Sequence, residues 1–248
     1  MPRAARKESS TGVYHIMLRG INQQQIFEDD EDYDKFLEVL GDCKIVSGFK
    51  LYAYCLMGNH VHLLVRVVDE NLETIFKRIG VSYVYWYNLK YSRTGHLFQD
   101  RFKSEPIESN EYFFTVIRYI HQNPTKAQLV DSIEAYRWSS YRDYAGDRPS
   151  ALTDTASVLK SMPLGEFVAF NQEANDDTCL EESQVHKLND NDAKEIIKRI
   201  TNCGTAAEFQ KLDNQTRMLY LGKLKDEGLS HRQISRLTGT SKGSVQRA

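Results

Sequence analysis

Two histidines one hydrophobic residue apart constrain the fold of this chain more than any other feature. His60 and His62 follow a possible turn at residues 58–59 and lie between the apolar stretches 51–57 and 63–65. Apolar runs on both sides of a turn predict two strands joined as a hairpin. Because side chains alternate along a strand, both imidazoles point to the same face of the sheet. Two adjacent imidazoles favour a metal site, although a lone buried histidine is usually structural.

The composition is that of an ordinary globular protein. The chain has 248 residues, of which 41% are hydrophobic and 27% charged, enough for one medium domain with an appendage. We expect no membrane segment, because no apolar run approaches the roughly 20 residues that a span requires. The four cysteines are far apart and form no CxxC pair, which predicts neither a zinc ribbon nor disulfides and favours the cytoplasm. The net charge of −2 excludes a uniformly basic protein but not a locally basic surface.

The predicted elements follow the order β-α-β-β-α-β. Strands are expected at 13–18, on both sides of the histidine turn and at 102–107, with helices at 33–46 and 72–89. A third helix begins after Ser109, a good N-cap, and should stop near Asn123-Pro124. This order predicts an α+β fold, a ferredoxin-like antiparallel sheet with helices on one face.

Three regions follow one another along the chain. We assign residues 1–150 to the α+β domain, 151–193 to a helical segment and a linker, and 194–248 to a C-terminal all-α region. Residues 171–192 are polar and mostly acidic, which is typical of a mobile linker.

The C-terminal region has a helix-turn-helix pattern with a turn at Gly239. Three apolar residues would pack inward, namely Ile234, Leu237 and Val245. Polar and basic residues would remain outside, namely Arg232, Arg236, Lys242, Gln246 and Arg247. The alternative is a small helical cap with a solvated basic face.

The third predicted helix carries a possible second half of a site. Tyr119 and Asn123 are four residues apart, so they share one side of the helix at the edge of its apolar stripe. Tyr119 could also be a packing residue, and Asn123 could simply end the helix before Pro124.

Basic and aromatic residues alternate in another stretch. Arg93, Arg101 and Lys103 lie near His96 and Phe98, a pattern typical of single-stranded nucleic-acid recognition. An ordinary solvated loop with its aromatics in the core would have the same composition. An N-terminal arm with Arg3 and Arg6 could reach DNA or remain a disordered end.

Several motifs in order along residues 1–144 resemble one family. They are Met-Pro-Arg at the start, Tyr14-His15-Ile16, Arg19-Gly20, Ile26-Phe27, the segment 56–64 around the histidine pair, the segment 93–103, Arg118-Tyr119-Ile120-His121-Gln122-Asn123-Pro124, and Trp138-Ser139-Ser140-Tyr141. On these residues the chain resembles the single-tyrosine HUH transposases, specifically the REP-associated tyrosine transposases. Gly58 stands where these proteins usually have a proline.

The resemblance implies a function and a set of site residues. It implies an HUH nuclease fold in which His60, His62 and Asn123 bind a divalent cation, Mg²⁺ or Mn²⁺, and Tyr119 is the nucleophile. Other branches use a glutamine at the position of Asn123. The implied substrate is single-stranded hairpin DNA, which is nicked and rejoined through a 5′-phosphotyrosine. Relatives include monomers and homodimers.

The expected DNA contacts include residues on the arm, the motifs and the C-terminal region. They are Arg3, Arg6, Arg19, Arg93, Arg101, Lys103, Arg232, Lys242, Gln246 and Arg247. The C-terminal residues would contact double-stranded DNA. His15, His96 and His121 are expected to be structural or to contact phosphate.

Two other functions compete with the DNA strand transferase. One is a non-catalytic DNA-binding regulator on a domesticated transposase scaffold. The other is a metal-dependent hydrolase that activates water and does not need Tyr119.

Overall fold

The fold is described by a computed structural model for residues 6–146, 151–180 and 190–247. The chain divides into two compact units, Met1–Leu180 and Glu181–Ala248. Within the described residues no helix is long and apolar enough to cross a membrane.

An antiparallel sheet forms the centre of the first unit. Its strands are β1 (Val13–Arg19), β2 (Lys50–Met57), β3 (His60–Arg66) and β4 (Lys103–Pro106), in the order β2-β3-β1-β4. All neighbouring strands are antiparallel, and β2 and β3 form the hairpin that the sequence predicts around the histidine turn. The predicted ferredoxin-like α+β fold is therefore confirmed, except that helices lie on both faces of the sheet and not on one face as we expected.

Six helices accompany the sheet in the described part of the first unit. They are α1 (Asp30–Ser47), α2 (Leu72–Lys90), α3 (Asn110–Lys126), α4 (Tyr141–Ala145), α5 (Thr155–Ser161) and α6 (Leu164–Gln172). The acidic residues before α1 fix its start, because Asp29 and Asp32 form a reciprocal capping box.

The first three helices cover both faces of the sheet. Leu18 of β1 lines a pocket with Phe76 of α2, which packs against α1. His15, three residues earlier on β1, points to the opposite face, where its ring contacts Tyr119 of α3. The added third helix thus closes the face onto which the histidine pair projects.

Helix α3 does not stop at Asn123-Pro124 as we expected. Pro124 lies inside the helix, which continues to Lys126. Near a helix end the proline removes only one main-chain hydrogen bond. The last turn is closed instead by Ala127 N donating to Asn123 O at 2.9 Å and by the Thr125 hydroxyl donating to Gln122 O at 2.8 Å.

The first unit extends beyond residue 150, where we expected the α+β domain to end. Val158 of α5 and Phe167 of α6 are buried in the same core as the sheet. Residues 171–180, the first part of the predicted mobile linker, pack against α3 instead. Arg118 of α3 binds the Glu173 carboxylate at 3.0 Å and the Asp177 carboxylate at 2.8 Å, which gives these acidic side chains a partner. Residues 181–189 of that linker lie outside the described residues.

The second unit is all-α over its described residues. Its helices are α7 (Asp190–Thr201), α8 (Ala206–Gln210), α9 (Asn214–Asp226), α10 (His231–Thr238) and α11 (Lys242–Arg247). Gly239, at φ 68°, ends α10 in the left-handed conformation that glycine adopts without strain.

The structure agrees with the predicted buried and exposed faces of the last two helices. Ile234 and Val245 are fully buried, and Leu237 packs against the same core. The expected DNA contacts of this region are all exposed, namely Arg232, Lys242, Gln246 and Arg247.

Candidate active site

The two histidines of β3 lie side by side on the sheet face that α3 covers. The ring centroids of His60 and His62 are 5.1 Å apart. His60 is half-buried, whereas His62 exposes only 2% of its surface. The strand alternation predicted from the sequence thus places both imidazoles on one face.

Hydrogen bonds involve the same nitrogen, Nδ1, on each ring. His62 Nδ1 lies 2.9 Å from Nε2 of His15, and His60 Nδ1 lies 2.6 Å from the Asn59 side-chain oxygen. If each Nδ1 carries the proton, each Nε2 keeps a lone pair. Outer hydrogen bonds to Nδ1 are the usual way in which ligating histidines are oriented.

Burial keeps His62 neutral. Desolvation lowers the pKa of His62 well below its usual value, and electrostatic interactions with His15, His60 and Arg19 lower it further. A metal ligand must be deprotonated. His62 is therefore in the ligand form at neutral pH.

Tyr119 packs directly on this histidine group. Its ring centroid is 5.7 Å from that of His62 and 5.8 Å from that of His15, and only 3% of the residue is exposed. The ammonium group of Lys126 lies 5.6 Å from the centre of the Tyr119 ring. A positive charge at this position would stabilise a developing phenolate.

Asn123 follows Tyr119 by one helical turn. Its side-chain NH₂ donates to the main-chain carbonyl of Tyr119 at 3.0 Å, and its Oδ1 is an acceptor. Among the described residues no group of three or more His, Cys, Asp or Glu side chains is arranged to hold a metal. Two imidazoles and one amide oxygen, completed by water and phosphate, fit the donor preferences of Mn²⁺ and, less closely, Mg²⁺.

A tight turn brings Arg19 to the same end of the sheet. Arg19 is opposite His60 in the β1–β3 register, and Gly20 N donates to Asn59 O at 2.9 Å. A Cβ on Gly20 would come within 2.2 Å of the Gln24 carbonyl oxygen. Glycine at position 20 is thus required by the close approach of the chain beside the histidine hairpin.

The other expected DNA contacts of the first unit lie in three places. Lys103 is opposite Met17 in the β1–β4 pairing, and Met17 is opposite His62 in the β1–β3 pairing. Lys103 therefore lies on the same face of the sheet as His62. Arg93 stacks over Tyr87 at 5.4 Å. Arg6 and Arg101 line one pocket on the α2 side of the sheet, where Arg6 stacks on Phe102 at 3.8 Å. Arg3 lies outside the described residues.

Three histidines were expected to have no catalytic role, and the structure places them in different surroundings. His121 is a structural residue, bonded to the Asn171 side chain and the Ser140 hydroxyl, each at 2.9 Å. His96 lines the α2-side pocket. His15, in contrast, is fully buried against both His62 and Tyr119. The sequence signals for His15 are its polar character inside an apolar strand and its place in the motif Tyr14-His15-Ile16.

Comparisons with known proteins find a sequence family and solved structures that are similar to parts of this chain. The sequence model of the family described as "Transposase IS200 like" matches residues 8–123. This range contains the histidine pair, Tyr119 and Asn123. Residues 8–123 are thus similar to the IS200-like transposases.

Solved structures are similar to this chain at low identity. A structure described as a REP-associated tyrosine transposase bound to a REP hairpin superposes with a TM-score of 0.52 at 17% identity, covering 63% of this chain and 96% of that chain. This likeness shows that the fold is shared. A putative transposase from Deinococcus radiodurans R1 has a TM-score of 0.35 at 19% identity, covering 49% of this chain and 97% of that chain. No curated protein sequence matches the chain.

Proposed function

We propose that this transposase nicks and rejoins single-stranded DNA through a covalent bond between Tyr119 and a 5′-phosphate. The observation that carries the proposal is the packing of the Tyr119 ring 5.7 Å from the His62 ring, on the face where both histidines project. A nucleophile and two potential metal ligands thus converge from different elements. His60, His62 and Asn123 would hold Mg²⁺ or Mn²⁺.

The reaction exchanges one phosphoester for another. The Tyr119 hydroxyl oxygen attacks the scissile phosphorus, the phenol loses its proton, and the bond from phosphorus to the 3′-oxygen breaks. A 3′-hydroxyl leaves and a 5′-phosphotyrosine remains. A second 3′-hydroxyl can reverse the step without ATP, because the phosphotyrosine retains the energy of the broken bond.

A weak nucleophile explains the need for a cation. The pKa of a free phenol is near 10, so little phenolate exists at neutral pH. A bound divalent cation would supply Lewis-acid polarisation of the phosphate and orientation of the scissile bond. Lys126, beside the Tyr119 ring, would favour the phenolate as the proton leaves. Because Tyr119 exposes only 3% of its surface, its ring or its neighbours must move when DNA binds.

Single-stranded DNA that forms a hairpin is the proposed substrate. Support comes from Arg19, directly opposite His60 on the neighbouring strand, and from Lys103, on the same face as His62 but one strand further along the sheet. The similar structure, which is described as bound to a REP hairpin, also supports it. Arg6, Arg93 and Arg101 would contact the strand further from the reacting phosphate. Arg3 would extend this contact as part of the arm.

The C-terminal unit is proposed to bind double-stranded DNA. Helices α10 and α11 meet at a glycine turn and would act as a helix-turn-helix motif. The exposed residues Arg232, Lys242, Gln246 and Arg247 would contact the duplex. This surface is the observation that favours the regulator as the second candidate function.

Replacing Tyr119 by phenylalanine distinguishes the three candidate functions. The protein is incubated with Mn²⁺, a labelled hairpin strand and an acceptor strand with a free 3′-hydroxyl. The proposal predicts that the Tyr119→Phe variant binds the hairpin but neither cleaves nor joins it. Persistent cleavage without joining would favour the hydrolase. Tight binding of hairpin or duplex without cleavage by the parent would favour the regulator.

A further inference from the structure

A third histidine, His15, and the carboxylate of Glu105 form a chain of contacts that begins at His62. His15 on β1 exposes none of its surface, and its Nε2 is 2.9 Å from Nδ1 of His62. On the other side of the ring, His15 Nδ1 is 3.7 Å from Oε2 of Glu105 on β4. The three side chains thus span the neighbouring strands β3, β1 and β4.

The strand register brings the side chains of His62, His15 and Glu105 together. His15 is directly opposite Glu105 in the β1–β4 pairing, and Met17, two residues along β1, is directly opposite His62. Side chains opposite or diagonal to one another on one face are within reach. Hydrogen bonding to His15, to the Tyr112 side chain and to the Leu180 main chain lowers the pKa of Glu105.

Two of the buried polar atoms without a hydrogen-bond partner lie close to each other. They are His15 Nδ1 and Glu105 Oε2. An unpaired buried polar group costs about 1–3 kcal/mol. A small rotation of the Glu105 side chain would close the 3.7 Å gap between them and satisfy both atoms.

We propose that Glu105 and His15 are positioning residues that fix the tautomer and the ring orientation of His62. His62 keeps its proton on Nδ1 and donates it in a hydrogen bond to His15 Nε2. His15 keeps its own proton on Nδ1 and donates toward Glu105. The lone pair of His62 Nε2 is then directed to the divalent cation of the proposed function, on which this inference rests.

The burial and the Nδ1 partner differ between the two proposed ligands, His60 and His62. His60 is half-buried, and its Nδ1 is paired with the neighbouring Asn59 side chain. His62 is almost fully buried and has only the His15 ring as its Nδ1 partner among the contacts described. Loss of His15 should therefore change His62 while His60 remains as it was.

The first test measures the tautomer of His62 without any metal. Full-length protein is labelled with ¹⁵N-histidine, and long-range ¹H–¹⁵N correlation spectra at neutral pH distinguish protonated from unprotonated ring nitrogens. We expect His62 to carry its proton on Nδ1 in the parent. His15→Phe removes the acceptor, so both tautomers should appear. His15→Gln restores an acceptor and should restore the Nδ1–H form.

A matched control comes from another fully buried histidine. His121→Gln makes the same change as His15→Gln, but His121 contacts Asn171 and Ser140 rather than His62. This variant should leave the His62 spectrum unchanged even if it lowers stability. A merely structural effect of the His15 substitutions would appear in the control as well.

The second test titrates MnCl₂ into each metal-free protein by calorimetry. Loss of an outer partner of a ligand typically weakens metal affinity by about 10–100-fold. We expect this loss for His15→Phe, a smaller one for Glu105→Gln, and an affinity near that of the parent for His15→Gln.

The outcomes separate this inference from the proposed function. An Nε2–H tautomer of His62 in the parent, or unchanged tautomer and affinity in His15→Phe, would overturn the inference. If His15→Phe does not fold, the parent spectrum and His15→Gln still decide it. A parent with the Nδ1–H tautomer that does not bind Mn²⁺ would contradict the proposed function alone.

Discussion

His121 should make the stability of the first unit fall as the pH is lowered below 6.5. Burial lowers the pKa of His121 from 6.5 to about 4, against a smaller raising effect of its bond to Asn171. The unfolded chain therefore takes up a proton at a pH at which the folded chain does not. The stability from this group is fully present above pH 6.5 and is lost progressively as the pH falls to about 4.

The size of the effect follows from the two pKa values. One pKa unit corresponds to about 1.36 kcal/mol, so the full loss is about 3 kcal/mol. Between about pH 7.5 and about pH 5.5 the linkage removes about 1.3 kcal/mol from the free energy of unfolding. His15 and His62, whose pKa values are also lowered by burial, change the stability in the same direction.

The contribution of His121 is isolated by comparison with His121→Gln. Both tryptophans of the chain, Trp86 and Trp138, lie in the first unit. Their fluorescence in urea therefore reports the unfolding of that unit. The parent should lose about 1.3 kcal/mol more than the variant between the two pH values. Equal losses would refute the conclusion that His121 is buried and neutral.

Two further substitutions test the surroundings of the site. Gly20→Ala places a Cβ 2.2 Å from the Gln24 carbonyl oxygen and should cost about 1–3 kcal/mol of stability in urea unfolding. Gly80→Ala in α2, where a Cβ meets nothing within 4 Å, should instead gain about 0.5–1 kcal/mol. Lys103→Ala should weaken binding of a single strand and reduce the slope of log Kd against log salt by about 0.7. Lys35→Ala on α1 should leave that slope unchanged, and an equal change in both lysine variants would refute the phosphate contact.

Local patterns were sufficient to predict most of the sheet and the shared face of His60 and His62. Alternation along one strand fixes the relation between these two side chains, whatever the rest of the fold. The acidic residues before α1 and Ser109 before α3 also act locally, as caps. These features need no long-range contact to be recognised.

Features that depend on strand register or on distant partners could not be predicted in this way. His15 meets His62 only because Met17 pairs with His62 in the β1–β3 register. Residues 171–180 are ordered because Arg118, more than fifty residues earlier, binds Glu173 and Asp177. Composition alone made that segment resemble a linker.

Formation of a covalent adduct tests the central claim most directly. Purified full-length protein is incubated with Mn²⁺ and hairpin strands labelled at either the 3′ or the 5′ end, and is then separated on a denaturing protein gel. Attack by Tyr119 predicts that only the 3′-labelled strand stays attached to the protein, because the tyrosine joins the 5′-phosphate of the downstream fragment. The band should be absent in Tyr119→Phe and present in Tyr85→Phe, a control at an exposed tyrosine of α2. An adduct that persists in Tyr119→Phe, or one that carries the 5′ label, would contradict the account.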